Sequence, residues 1–271
     1  MSAGMRATIR VVLVFVAALV ILGTVGGLGT LAYAVGGSRI VNDKQELPDG
    51  MRSLAVDTGN VPVSVRLITD ADATEPRIDL RMLTSTDSRL TIANDGTSSR
   101  VTLDGGSEFL WGLIGTGEIK VILPPDVARD LSVTVNYQTG ALSTDGDLDQ
   151  LIARSDVGSV TLGGSARLID VGLRHGDIRT SARIAVTESI RATTESGRIS
   201  LEFSSPPRTS EATAGGAVTV GLPGPGPYRV RAQAQGPGGE TTVTVPQTAD
   251  LSAPGVTAQS KSGNVLIAEL R

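Results

Sequence analysis

The side chains able to do chemistry in this chain are few and scattered. His175 is the single histidine among 271 residues, and there is no cysteine. Cysteine ligands, thiol nucleophiles and disulfides are therefore excluded, and a zinc centre or His-based triad would need other partners. His175 directly precedes Gly176, which suits a turn residue. Asp145-Gly146-Asp147-Leu148-Asp149 groups three carboxylates around a glycine, the donor set of a hard-cation site. It lacks the spacing of an EF-hand loop and occurs once, so it reads as an Asp-rich turn. Asp156 and Glu195 are the acids a glycan-cleaving enzyme could use. No Walker loop or dinucleotide fingerprint is present. The sequence thus nominates no catalytic, cofactor-binding or metal-ligating residue.

What must position these groups is a repeat. Leu151–Leu162 (LIARSDVGSVTL), taken about Gly158, has apolar or small residues at −7, −5, −3, +2 and +4. The same frame falls on Ile190–Leu201 about Gly197 and on Val256–Ile267 about Gly263. Looser copies surround Gly140 and Gly176, so Gly140, Gly158, Gly176, Gly197 and Gly263 are the expected structural corners. Each copy alternates by two on either side of its glycine, giving two short strands bent at a corner. One such unit cannot bury its own apolar face, but stacked copies can. The expectation is all-β: a β-solenoid, or β-helix-like stack of short strands with 18–21-residue rungs, preceded by one N-terminal transmembrane helix. Across the copies the −2 position holds Asp156, Arg174, Glu195 and Lys261, and +1 holds Ser159, Asp177, Arg198 and Asn264. Stacking would alternate the sign of neighbouring charges instead of gathering carboxylates, which argues against the enzyme.

The length and composition allow one sizeable domain plus an appendage. The chain is 40% hydrophobic with 3% aromatics and a formal charge of −4. It lacks the clustered Lys and Arg that a nucleic-acid footprint needs. Residues 1–10 read as a cytoplasmic tail carrying Arg6 and Arg10. Residues 11–35 are 25 residues without a charge, roughly 37 Å as a helix and enough to span a bilayer. The positive-inside bias places the N-terminus in the cytoplasm and the remainder outside. A cleaved signal ending after Ala34 is the competing reading, and it exports the same domain. Gly23 and Gly27 form a GxxxG that could pair helices. Residues 36–52 read as a linker, and 53–271 as the β-repeat domain. In it, Phe109–Ile114 forms an apolar knot, read as an end cap, and the last frame is expected to shield the final rung.

From Gly117 to Leu162 the chain has a strand ending in Ile122-Leu123-Pro124, then serial glycine frames. This text resembles the putative-adhesin domain family of unknown function found in bacterial envelope proteins. The resemblance runs from about Ser53 to Leu270 and implies a β-helix-like or β-roll fold, a cell-envelope location and an adhesive, sensory or scaffold role without catalysis. The chain then reads as a single-pass membrane protein, bound to the lipid bilayer through 11–35, with an envelope protein or glycan as partner. An envelope-state sensor acting through membrane partners is the alternative, and a glycan-active enzyme a third.

Overall fold

The computed structural model describes residues 39–84, 89–105 and 117–270. In chain order the first strands are β1 (Arg39–Glu46), β2 (Ser53–Asp57), β3 (Val63–Thr69), β4 (Arg77–Thr84), β5 (Arg89–Asp95), β6 (Ser98–Asp104) and β7 (Gly117–Leu123). Pro124-Pro125 ends β7 and opens a single-turn helix, α1 (Pro125–Ala128). There follow β8 (Ser132–Leu162), β9 (Gly164–His175), β10 (Ile178–Thr180), β11 (Ile184–Ser196) and β12 (Ile199–Ser205). The last strands are β13 (Thr209–Ala214), β14 (Val218–Pro223), β15 (Arg229–Ala234), β16 (Thr241–Val243), β17 (Gly255–Ser260) and β18 (Val265–Leu270). Part of the expected linker is therefore strand β1.

The repeat sets the register of the parallel ladders. Leu151 pairs with Ile169, Ile169 with Ile190, Ile190 with Ser210, and Ser210 with Val256. Two residues on, Ala153, Val171, Ala192, Ala212 and Ala258 form a second column, each fully buried. Alternation by two sends these side chains to the core and their neighbours to solvent. Beyond the corners Val160, Ile178, Ile199, Val218 and Val265 make a matching buried column.

The expected fold needs correction. Two strands do meet at Gly176, at Gly197 and at Gly263, as expected, but the copies do not make a solenoid of separate rungs. β8 runs for 31 residues through Gly140 and Gly158 without a break. The pairings β8–β9, β9–β11, β11–β12, β12–β10 and β10–β8 are all parallel and close on themselves. The described residues are all-β, with one five-stranded parallel closed barrel among them to which further strands are added. Glycine lets a strand turn the corner while keeping its ladder bonds, so the copies about Gly140 and Gly158 fuse into the one continuous strand β8. The N-terminal part departs further, because β1–β4, β4–β7 and β5–β6 are antiparallel. The predicted transmembrane helix (11–35), with its Gly23/Gly27 motif, lies outside the described residues, as does Phe109–Ile114. Among the described residues no helix is long and apolar enough to cross a membrane.

Stacking order also differs from chain order at both ends. β2 lies between β6 and β8, and β3 between β7 and β8. At the other end β17 is inserted between β13 and β15, and β18 between β14 and β16. The last repeat frame is therefore interior, and β15 and β16 form the outer edge it was expected to shield.

Candidate functional site

The five expected corner glycines are placed as a stack. A methyl group on Gly158 would overlap the carbonyl oxygen of Gly140, one on Gly176 that of Gly158, and one on Gly197 that of Gly176. Gly216 continues the column against Gly197, and Gly263 abuts Gly216 and Ala217. These residues hold the backbone together and present no side chain to a ligand.

Outside this column the surface is built from ion pairs made at one ladder step. Asp156 meets Arg174 (3.7 Å) and Asp177 meets Arg198 (3.3 Å), as the −2 and +1 positions of the repeat anticipate. Arg174 also lies opposite Glu195, because Leu173 pairs with Thr194 and His175 with Ser196. The two acids nominated for glycan cleavage thus stand two strand spacings apart, ~10 Å, with a guanidinium between them. His175 is exposed at the end of β9. The Asp-rich run is divided among partners: Asp147 accepts from Ser165 Oγ (2.7 Å), while Asp149 accepts from Arg167 Nε (2.7 Å) and Nη2 (3.0 Å). Arg167 Nη1 reaches Glu188 (2.6 Å) on the other side, so one guanidinium ties three successive layers. Its hydrogen bonds hold the Asp149 carboxyl below the usual range.

The strands before the corners form one broad outward face. One row runs Ile152, Asp170, Arg191, Glu211, Thr257 and Arg231. A flanking row runs Leu168, Ser189, Thr209, Gly255 and Arg229. Arg154 crosses Gly172 to reach Asp170 (2.6 Å), and Arg191 pairs with Glu211 (2.9 Å). At the β15 end this face hollows into a groove of about 490 Å³, lined by Ser189, Arg191, Thr209, Glu211, Arg229 and Arg231 and floored by Gly255 and Thr257. Smaller hollows lie beside Asp57, Asn136 and Arg154 and around Lys44, Asp79 and Lys120.

None of the groove residues is among those singled out from the sequence. Part of the signal was present: −6 in the repeat frame reads Ile152, Asp170, Arg191 and Thr257, the row itself. Glu211 escapes because its copy has a shorter corner. It follows Arg191 by 20 residues, whereas Val218 follows Ile199 by 19, so one glycine frame cannot fit both arms. Arg229 and Arg231 escape because β15 precedes β17 in the chain yet lies beyond it in the ladder.

No protein-family model matches the chain, and no curated protein does. Solved structures are similar to it at low identity. One is described as a putative cell adhesion protein from Clostridium sporogenes, at 10% identity and a TM-score of 0.41, covering 86% of this chain and 100% of that one. A putative adhesin from Parabacteroides distasonis is 9% identical with a TM-score of 0.45, covering 86% of this chain and 97% of that one. A putative lipid binding protein from the same species is 10% identical, also with a TM-score of 0.45 and coverages of 86% and 97%.

Proposed function

We propose that this chain is a non-catalytic interaction module of the bacterial cell envelope, displayed outside the membrane and held there through residues 11–35. The observation that carries this reading is the outward face itself. Its acids and bases are cross-braced at single ladder steps, Arg154 with Asp170 and Arg191 with Glu211. Such a surface is rigid, polar and extended, suited to contact over area, whereas catalysis needs carboxylates or a nucleophile brought together at one reacting atom. The charge pattern around residues 11–35 supports the topology, since Arg6 and Arg10 precede an uncharged 25-residue run.

Protease treatment of intact spheroplasts making the full chain tests the placement: cleavage of the β domain is expected, and full protection would overturn it. The non-catalytic assignment is tested with Asp156→Asn and Glu195→Gln. A glycan-cleaving activity of the wild type that either change abolishes would remove it.

A further inference from the structure

Sign alternation on the outward face stops at the groove beside β15. Arg154 and Arg191 each meet a carboxylate one step away. One step past Glu211 the row carries Thr257, and the next residue, Arg231, has no carboxylate or carbonyl partner among the described residues. Arg229 lies in the flanking row of the same strand. Its Nη1 donates to the Leu251 carbonyl (3.2 Å), and its guanidinium lies across Gly255, where a methyl group would come within 2.9 Å of Nη2. The missing side chain at 255 is what leaves that guanidinium its place. Asp250 acts on Arg229 from the adjoining loop, but its carboxyl is held mainly by the backbone N–H of Ser252.

We propose that this groove binds an acidic glycan through its carboxylates, with Arg231 as the chief charge contact and Arg229 positioned beside it. The inference rests on the interaction-module reading and adds its ligand class. A guanidinium offers a planar fork that matches a carboxylate. The hydroxyls of Ser189, Thr209 and Thr257 line the same groove and can exchange hydrogen bonds with sugar hydroxyls. Three ladder steps separate Arg191 from Arg231, about 14 Å, which accommodates two or three sugar rings. A lipid surface fits less well. Leu251 is the exposed large apolar residue here, at 81% exposure, and one such side chain falls well short of an amphipathic anchor.

Calorimetric titration of the full chain in detergent with trigalacturonate, and with neutral maltotriose, tests the assignment. Trigalacturonate is expected to bind, and to bind less as salt is raised. Arg231→Ala should weaken it roughly ten-fold or more, as loss of a charge-assisted contact does. Gly255→Ala should also weaken binding by displacing the Arg229 guanidinium. It should leave the melting temperature nearly unchanged, because only the end of a flexible side chain must move. Arg52→Ala, whose pairing with Asp130 lies elsewhere, should bind as the wild type does. Equal binding of maltotriose, no binding of either sugar, indifference to both groove variants, or binding only to phosphatidylglycerol vesicles would overturn the proposal. Those results would still leave the envelope placement to be decided by protease accessibility.

Discussion

Gly176 packs so closely on Gly158 that a methyl group on its α-carbon would overlap the Gly158 carbonyl oxygen. Its φ is 133°, a region L side chains rarely adopt. The clash is with backbone, which cannot move without breaking a ladder shared by several layers.

Gly176→Ala should therefore destabilise the domain by about 3 kcal/mol or more, the sum of overpacking and backbone strain. Gly50→Ala is the control, since a methyl group there meets nothing within 4 Å. Urea denaturation of both variants gives the comparison. Near-equal midpoints would show that the glycine column is not what closes the strands on one another.

Asp149 has a carboxyl pKa lowered first by its hydrogen bond from Arg167. Its contribution is full above the unfolded carboxylate value, near pH 4, and is lost as pH falls through the lower folded value. Asp149→Asn should melt about 1–3 °C below the wild type at pH 7, a small gap because the pair is solvent-screened. Thermal melts should show the gap closing in acid and shrinking in high salt. A gap constant down to pH 2 would contradict the pairing.

Tyr137 is buried, and burial pushes its phenol up to about 12, with the Ser155 hydroxyl opposing part of the shift. Its Oη donates to the Ser159 carbonyl (3.2 Å). The neutral phenol is the form the fold favours. This contribution is therefore full below the unfolded value near 10 and is lost as pH rises through about 12. Burial also raises the Tyr228 phenol, so absorbance titration at alkaline pH should show late phenolate absorbance that Tyr137→Phe reduces by one tyrosine. An unchanged late amplitude in the variant would contradict the burial of the Tyr137 phenol.

Ser210 occupies the buried column between Ile190 and Val256, and its Oγ has no hydrogen-bond partner among the described residues. A buried hydroxyl left unpaired costs about 1–3 kcal/mol. Ser210→Ala should thus raise stability by about 1 kcal/mol, a sign opposite to most core substitutions. A clear loss of stability in chemical denaturation would mean that the hydroxyl is satisfied in solution.

The glycine frames show how far the sequence could be read. Ala153, Ala192 and Ala258 sit at one offset from Gly158, Gly197 and Gly263, and all three are buried in one column. The paired charges at Asp156 and Arg174, and at Asp177 and Arg198, were legible for the same reason: a repeat that stacks brings equal offsets together. The copy about Gly215-Gly216 was not legible, because a one-residue change at a corner shifts one arm and leaves the other. The joining of β8 through two corners was hidden as well, since a glycine read as a break in a sequence can serve in a ladder as a bend.

By itself the sequence determined, within its regular frames, which residues face inward and that Asp156 meets Arg174 and Asp177 meets Arg198, because those follow from alternation and a fixed repeat length. Only the tertiary structure decided that the copies fuse into a closed parallel barrel, and that β17 slips between β13 and β15. It also decided that Arg231 stands, among the described residues, without a carboxylate at the end of its row. Those outcomes depend on which strand edges meet in space. Backbone edges offer the same hydrogen bonds whatever their side chains, so the pairing of distant strands leaves no local mark in the sequence.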